Sequence, residues 1–513
     1  MKKSALVIFV ISLTLSAVFL ILYATSTYGT GISPDSVGYI AVARNLADGN
    51  GFTDYQGNAF VIQPPLFPVA LASIELFSGI DPEEGARFFN ALVAACTVGL
   101  GGFVLLRFVR GPLVVLGGLA ILFSTPQIAV STYAWSEPLF NLLVLIFLTI
   151  IISHSRLGRR EVVLLGFVTA LACLTRYIGY SLVATGLILI LIQRGGRTKL
   201  TNSLLFGIIS VLPIGIWLIR NWILSSTLFG PRAPSQYSLL DNLYYTYSKI
   251  SGWFLPDRLL PYRWIIFAVI AFGILGAAVY AFVYKKPTKA AFIREIVRSA
   301  QLSLFIMVYT IFLIVSSTTT AYDRIDTRLL SPISVPLIIV LVLVFDVALK
   351  WFENSKFRSS LASIIRISAI ALFALWLLVV PTRDIVHSVR AKVDQGAGGY
   401  NSRSWQQSDT IKYLRTHLPQ EDMAIYSNWA WIVFFSTGIQ AKNAPKYHNS
   451  EKLADDLSTL EGKWPENPTS YLIYFDKERS GYFTVDELST IADISLMIEL
   501  SDGKIYTALP KQP

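Results

Sequence analysis

The stretch GTGISPDSVGYIAVARNL, residues 29–46, follows directly after the first long apolar run of the chain. It places one carboxylate, Asp35, a few residues beyond a segment that is long enough to cross a membrane. Ser33 is a good helix N-cap, Pro34 suits a first helical turn, and Asp35 faces the positive end of the helix dipole. A helix with an acid at its start is therefore predicted here.

Apolar positions along this predicted helix share one face, formed by Val37, Ile40, Ala41 and Ala47. A helix with such a stripe lies in the plane of the membrane interface. We therefore expect a surface helix that holds Asp35 close to the bilayer. From spacing alone, a structural helix-start carboxylate explains Asp35 equally well.

The next segment, FVIQPPLFPVALASIELFSG at residues 60–79, predicts a second helix with its three prolines in the first turns. A helix of about 15 residues is too short to cross the hydrocarbon core unaided. We expect it to lie at the membrane interface or to re-enter the bilayer.

The composition of the whole chain is that of a polytopic membrane protein. Of its 513 residues, 53% are hydrophobic and only 15% are charged, whereas soluble domains average about 25% charged residues. The net charge of +10 does not indicate nucleic-acid binding, because the basic residues lie in short loops between apolar runs. Cys96 and Cys173 lie inside apolar runs and predict no disulfide or metal framework. The pattern leaves dependence on a divalent metal open.

Apolar runs of suitable length predict about eleven transmembrane helices. We place them at residues 5–23, 86–106, 112–128, 137–153, 161–175, 177–193, 202–222, 263–284, 299–318, 330–349 and 362–381. The first run is longer than a typical signal-peptide core and lacks a small-residue cleavage site, so we interpret it as an uncleaved span.

Lysine and arginine fall in alternate loops under this count. The basic loops hold Lys2 and Lys3; Arg107 and Arg110; Arg156, Arg159 and Arg160; Arg194, Arg197 and Lys199; Lys285, Lys286, Lys289, Arg294 and Arg298; and Lys350, Lys356 and Arg358. The positive-inside rule makes their side cytoplasmic. The chain is thus predicted to be a multi-pass plasma-membrane protein with a cytoplasmic N-terminus and an extracytoplasmic C-terminus.

Residues 1–383 form the predicted membrane domain, and residues 384–513 form a small soluble α/β domain on the outer face. The runs DMAIYSN and SYLIYFD predict strands, and ISLMIELSDGKIYTALP predicts a hairpin that turns at Asp502-Gly503. SRSWQQSDTIKYLRTHLP and NSEKLADDLSTLEGKW predict helices, the second capped by Asn449 or Ser450. The glycine-rich segment VDQGAGGYNSR is expected to be a linker or a mobile loop.

The runs PDSVGYIAVARNLADGNGF, QPPLFPVALASIELFSG and EEGARFFNALVAA, in this order, resemble membrane glycosyltransferases of the GT-C superfamily. The resemblance is to glycosyltransferase family 39, the branch of protein O-mannosyltransferases and aminoarabinose transferases, and it covers residues 1–110 best. Many relatives have two adjacent acids where this chain has Asp35 followed by Ser36.

This resemblance implies a sugar donor on a polyprenyl phosphate and transfer to an acceptor hydroxyl at the outer face, with inversion. A carboxylate within hydrogen-bond reach can take the acceptor's proton, and Asp35 is the candidate general base. The leaving group is already a phosphate, so cations that meet its growing charge stabilise the transition state. The predicted partners are that donor, membrane lipid and an acceptor that is a protein, a lipid or a glycan.

Four outer arginines near span ends are candidate phosphate ligands, namely Arg176, Arg328, Arg232 and Arg220. The alternative for each is snorkelling or a salt bridge, for instance of Arg328 with Asp323 or Asp326. Glu137, at the predicted start of the fourth span, is a second candidate acid; it is otherwise a helix-start carboxylate.

Two other function classes stay open at this point. A transporter or flippase for a lipid-linked glycan would need polar groups near mid-bilayer and often repeated, broken helices. A non-catalytic scaffold would tolerate the loss of Asp35 and of the outer arginines. The residue pattern names neither the sugar nor the acceptor.

Overall fold

The computed structural model describes residues 2–193, 196–268, 289–320, 324–353, 359–417, 423–447, 455–467, 469–477, 479 and 481–511. Helices dominate the first four hundred residues, and a small sheet follows them. This confirms the predicted class, a helical membrane protein with a C-terminal α/β unit.

Six helices of the described residues are long and apolar enough to cross a membrane. They are α1 (Lys3–Ala24), α4 (Pro82–Phe108), α10 (Gly196–Ser225), α12 (Lys289–Thr319), α13 (Ser331–Glu353) and α14 (Ser359–Gln395). The bent pair of α5 (Gly111–Leu122) and α6 (Thr125–Ser131) makes a seventh if it is one broken span.

The predicted count of eleven spans is not confirmed. The helices α7 (Glu137–Ser153), α8 (Arg159–Thr175) and α9 (Tyr180–Leu191) lie on predicted spans but have only 17, 17 and 12 residues. About 20 residues are needed to span the hydrocarbon core. The predicted eighth span, 263–284, extends beyond the described residues.

At one end of the helical bundle, residues from several of the basic loops, which are all predicted to be cytoplasmic, lie close together. Arg110 donates to Asp346 at 2.7 Å, and Lys350 forms ion pairs of 2.7 Å with Asp346 and Glu295. Arg298 lies over the ring of Phe108 at 4.2 Å. These contacts join α4, α12 and α13 and the segment before α5, in keeping with the alternation of the basic loops.

The loop after α1, predicted to be the first outer loop, contains α2 (Pro34–Ala47) and α3 (Leu66–Ser78). Ser33 caps α2 as predicted, and Ser36 completes a capping box by accepting from the Ser33 backbone N–H at 3.1 Å. The expected one-sided surface helix is wrong for the middle of α2, where residues 36–43 are all buried. The neighbours α3, α4 and α17 (Ala430–Thr437) contact this helix, so Ser36 and Tyr39 are enclosed together with the apolar positions.

A five-stranded sheet forms the core of the C-terminal unit, in the order β2-β1-β3-β5-β4. Its strands are β1 (Ala424–Ser427), β2 (Lys442–Asn443), β3 (Ser470–Phe475), β4 (Ala492–Leu500) and β5 (Gly503–Pro510). β1 pairs in parallel with β2 and β3, whereas β5 is antiparallel to β3 and β4. The two predicted single strands and the hairpin are confirmed, but the hairpin turns at Ser501-Asp502 rather than Asp502-Gly503, because Gly503 already pairs with Leu500.

The first predicted helix of this unit is divided. The described part of the run 402–419 forms two helices, α15 (Arg403–Gln406) and α16 (Asp409–Thr416), because Ser408 caps the second one. The described part of the run 449–464, residues 455–464, contains α18 (Leu457–Leu460), capped by Asp456; the predicted cap at Asn449 or Ser450 lies outside the described residues. One further short helix is α19 (Val485–Leu488).

The glycine-rich segment after α14 is docked on the membrane domain. Ile32 donates to the Gly398 carbonyl at 3.2 Å, and Tyr400 donates to the Ile32 carbonyl at 2.8 Å. On the opposite edge of the extended segment 31–32, the Gly31 backbone N–H donates to the Thr132 carbonyl at 2.8 Å. The expected mobile linker is therefore the outer member of a small backbone ladder.

Candidate functional site

Five polar side chains from separate parts of the chain meet at one end of the helical bundle. Asp35 lies in the first turn of α2, and Gln63 lies in the loop before α3. Glu137 is the first residue of α7, Arg176 follows the last residue of α8, and Arg328 lies just before α13. Each belongs to a helix end, where side chains can converge without crossing the apolar core.

Arg328 is the centre of this cluster. Its Nη2 donates to Asp35 Oδ2 at 2.5 Å, and its Nε donates to Glu137 Oε1 at 2.5 Å. Two edges of one planar guanidinium thus hold the two candidate acids, a geometry that a lysine could not provide. Asp326, one expected alternative partner of Arg328, instead accepts from the Leu329 backbone N–H at 3.1 Å, and the other, Asp323, lies outside the described residues.

Arg176 approaches the same carboxylate from another direction. Its Nη1 lies 2.5 Å from Glu137 Oε1 and 3.3 Å from the Ser136 hydroxyl. The Ser136 hydroxyl is also hydrogen-bonded to the Tyr39 hydroxyl at 3.1 Å. One oxygen of Glu137 therefore meets two guanidinium groups and fixes their separation.

Asp35 has a partner on each oxygen. Arg328 occupies Oδ2, and the Gln63 side-chain amide donates to Oδ1 at 2.9 Å. These two contacts fix the plane of the carboxylate, while 37% of the side chain stays exposed. The acid is held in place and is still accessible.

Opposing effects set the protonation of Asp35. Burial raises the pKa of this carboxyl, but the charge and hydrogen bond of Arg328, aided by the charges of Arg176 and Arg232, bring the pKa below its ordinary value of 3.8. For Arg328, burial lowers the pKa and the charges of Glu137 and Asp35 raise it, with a net increase. Both partners are therefore charged at neutral pH.

Glu137 differs from Asp35 in its exposure and in its bonding. Only 1% of its side chain is exposed, and its Oε2 has no hydrogen-bond partner among the described residues. A buried carboxylate is stable when cations compensate its charge, as Arg176 and Arg328 do here. Glu137 thus acts on the two arginines, whereas Asp35 faces the space beside them.

A cavity of about 1030 Å³ adjoins the cluster. Its wall holds six cationic and two acidic side chains, namely Arg176, Arg232, Arg324, Arg328, Lys446 and Arg479, with Asp35 and Asp326. Lys446 and Arg479 come from the C-terminal unit, so both parts of the chain build one cavity. The excess of cations makes it suited to anionic ligands.

The other two candidate arginines differ in position. Arg232 lines the cavity and donates from Nη2 to the Ile62 carbonyl at 3.1 Å. Arg220 is not part of the cavity wall; it donates to the carbonyls of Phe60 and Phe52 and lies 4.4 Å over the ring of Trp217. Arg220 therefore stabilises the backbone of the loop that contains Phe52 and Phe60.

Several residues of the site do not follow from the sequence pattern, and Gln63 and Trp135 are the ones that contact the acids or Arg328 most directly. Gln63 lies in the run QPP, whose prolines indicate a helix start but not an amide partner for Asp35. Trp135 lies two residues before Glu137, and Arg328 lies 4.1 Å over its ring. A polar or aromatic residue next to a candidate acid in an outer loop is the signal that could have indicated both.

Among the residues that the structure describes, no group of three or more His, Cys, Asp or Glu side chains is arranged to hold a metal ion. Asp35 and Glu137 share Arg328 between them, so a cation already lies where a bridging metal would be expected.

No protein-family model matches the chain, and no curated protein sequence matches it. Solved structures do match. ArnT from Cupriavidus metallidurans in the apo state is 12% identical with a TM-score of 0.60, and the match covers 97% of each chain. ArnT from the same organism bound to undecaprenyl phosphate is 13% identical with a TM-score of 0.58, over 99% of this chain and 98% of the other.

The arabinofuranosyltransferase AftD from mycobacteria is 16% identical with a TM-score of 0.54, over 100% of this chain and 40% of its own. Identities this low show the fold alone. These proteins are membrane glycosyltransferases of the GT-C superfamily, and the chain has the GT-C fold that the sequence resemblance implied.

Proposed function

We propose that this chain is an integral membrane glycosyltransferase that moves a sugar from a polyprenyl-phosphate donor to an acceptor hydroxyl at the outer face of the membrane. The observation that carries the proposal is the pair of contacts from Arg328 to Asp35 and Glu137 at the wall of the large cavity. An acid that can take a proton thus lies beside cations that can bind a phosphate. The fold shared with an ArnT bound to undecaprenyl phosphate supports a lipid-phosphate ligand.

The donor phosphate is assigned to Arg176 and Arg328, with Arg232 as a further cation on the same wall. The charge on the phosphate grows from about −1 to about −2 as its bond to the sugar breaks, so these cations stabilise the transition state more than the ground state. Glu137 holds both guanidinium groups in place before the phosphate arrives.

Asp35 is assigned the role of general base. The acceptor oxygen attacks the first carbon of the sugar while the bond from that carbon to the phosphate oxygen breaks. The acceptor's proton moves to Asp35, and the electron pair of the broken bond stays on the polyprenyl phosphate. One displacement from the face opposite the phosphate inverts the configuration at the sugar carbon.

The assigned domains are a catalytic membrane domain of residues 1–383 and an outer domain of residues 384–513. Trp431, Asn443 and Tyr482 of the outer domain line the cavity together with the arginines of the membrane domain. An aromatic, an amide and a phenol are groups that bind sugars and polar acceptors, so the outer domain is assigned to closing the cavity and recognising the acceptor. The acceptor is a protein, a lipid or a glycan.

The proposal is tested in vesicles that contain the purified protein, a labelled sugar on polyprenyl phosphate, and a membrane extract as acceptor. Label should move into the acceptor fraction in step with the release of polyprenyl phosphate, and no nucleotide should be needed. Labelled donor that crosses the bilayer intact would instead identify a transporter. If neither event occurs, both the transferase and the transporter functions are contradicted for the donor tested.

A further inference from the structure

We propose that Trp135, on which the Tyr133 ring stacks, is a positioning residue that fixes the plane of the Arg328 guanidinium. The inference rests on the proposed function, because it assigns to Trp135 and Tyr133 the role of orienting Arg328 toward the donor phosphate. It concerns two residues that no motif indicates.

Four side chains form a continuous stack beside the acids. Arg328 lies 4.1 Å over the Trp135 ring, and Trp135 stacks on Tyr133 with ring centroids 4.1 Å apart and an angle of 15° between the planes. Lys392 Nζ lies 5.3 Å from the Tyr133 ring. Cations at both ends of an aromatic pair are each attracted by the negative ring faces.

The stack complements the ion pairs of Arg328. Asp35 and Glu137 hold two edges of the guanidinium and limit its movement within its plane. They do not prevent rotation out of that plane, which would turn the donors away from a phosphate. The flat face of Trp135 prevents it, and tryptophan is the aromatic side chain that attracts a cation over its face most strongly.

Trp135 is itself anchored to the start of the helix that carries Asp35. Its indole Nε1 donates to the Ser33 hydroxyl at 2.7 Å, and Ser33 is the N-cap of α2. Glu137 follows Trp135 by two residues. The indole therefore links the two chain segments that carry the acids.

Neither face of Trp135 is open to a sugar. A tyrosine ring and a guanidinium, each about 4 Å from the indole, cannot occupy the same face and so lie on opposite ones. Trp135 lines the cavity, but only its edge is available to a ligand. This excludes a sugar platform as its role and leaves the arginine as its partner.

The back of the stack is closed by the docked linker. A Cβ on Gly398 would lie 1.9 Å from the Tyr133 hydroxyl oxygen, and a Cβ on Gly31 would lie 2.7 Å from the Tyr133 ring. Tyr133 therefore has no room to move away from Trp135. The linker to the outer domain thus supports the arginine through two aromatic rings.

The test compares Trp135→Leu, which removes the flat face, with Trp135→Phe, which keeps a smaller one. Trp135→Leu should lower kcat about 10-fold, and Trp135→Phe should recover most of that loss. The KM for the donor should change less than kcat, since the orientation of the Arg328 N–H donors matters most when charge grows on the phosphate in the transition state. Trp222→Leu, at a 57% exposed site on α10, is the matched control and should be unaffected.

A second measurement does not depend on transfer. Phenylglyoxal modifies arginine, and mass spectrometry reports its rate at Arg328 in the full-length protein. The rate should rise several-fold in Trp135→Leu and stay near wild type in Trp135→Phe and Trp222→Leu. Equal rates in all four proteins, or equal kinetic losses in the Leu and Phe variants, would overturn the inference. If the wild type transfers no sugar, the proposed function fails, and the labelling ratio still decides whether Trp135 holds Arg328.

Discussion

At the scale of single residues, Arg328 serves two acids with one guanidinium. A phosphate that accepts from Nη2 competes with Asp35 for that donor. On the proposed mechanism, donor binding thus weakens the ion pair and lets the pKa of Asp35 rise. The base becomes stronger once the sugar is in place, which favours proton transfer near neutral pH.

The pH dependence of transfer should reveal this coupling. Asp35 must be ionised to accept a proton, so kcat/KM falls as the pH drops through its pKa in the free enzyme. Burial raises that pKa, and Arg328 is the main opposing influence. Arg328→Gln should therefore lower the rate and also move the acid limb of kcat/KM to higher pH. Arg324→Gln, on the same cavity wall, is the control; an acid limb that stays in place in Arg328→Gln would contradict the ion-pair account.

Arg176 should contribute more to turnover than to donor retention. Arg176→Ala is expected to reduce kcat by about 10²–10³-fold, the scale for one lost oxyanion donor. Arg176→Lys should recover only part of the rate, because an ammonium cannot hold two phosphate oxygens side by side. Rates and donor binding measured together would show this split, and a normal rate in the alanine variant would make Arg176 a purely structural partner of Glu137.

At the scale of elements, the local pattern predicted the start of α2 correctly and its surroundings poorly. The cap at Ser33 depends on neighbouring residues, and it is confirmed. The burial of residues 36–43 depends on α3 and α4 and also on α17, which lies almost four hundred residues away in the chain. No periodicity in residues 34–47 contains that information.

The docked linker gives an element-scale prediction. Gly399 has a φ of +62°, and a Cβ there would lie 1.8 Å from the Ile32 carbonyl oxygen. Gly399→Ala should therefore break the ladder beside Asp35 and expose residues 396–402 to proteolysis. Gly49→Ala is the matched control, because its φ of +81° imposes the same strain with nothing within 4 Å. Equal protease resistance of the two variants would mean that the ladder does not hold the linker.

At the scale of the whole molecule, charge alternation carried more information than span length. The basic loops led to a consistent two-sided arrangement, and contacts such as Arg110 with Asp346 join residues of one predicted side. The span count is not confirmed, because apolar length alone does not distinguish a 17-residue helix beside the site from a complete span. The cavity was not predictable, since its wall combines outer loops with the C-terminal unit.

The orientation is a prediction that a fusion can test. A reporter that is active only in the cytoplasm should be silent after Pro513 and active when inserted at Arg159, in one of the basic loops. Activity after Pro513 would place the C-terminal unit inside the cell. The proposed donor and acceptor would then have to meet at the cytoplasmic face.

The most direct test of the central claim is single-turnover sugar transfer by Asp35→Asn. This change keeps the side-chain shape and an acceptor for Gln63 but removes the base. The account predicts that the variant inserts into the membrane and binds polyprenyl phosphate while transfer falls by about 10²-fold or more. Asp48→Asn, at the exposed end of the same helix, should transfer at the wild-type rate. Wild-type transfer by Asp35→Asn would show that this carboxylate is only a helix-start residue.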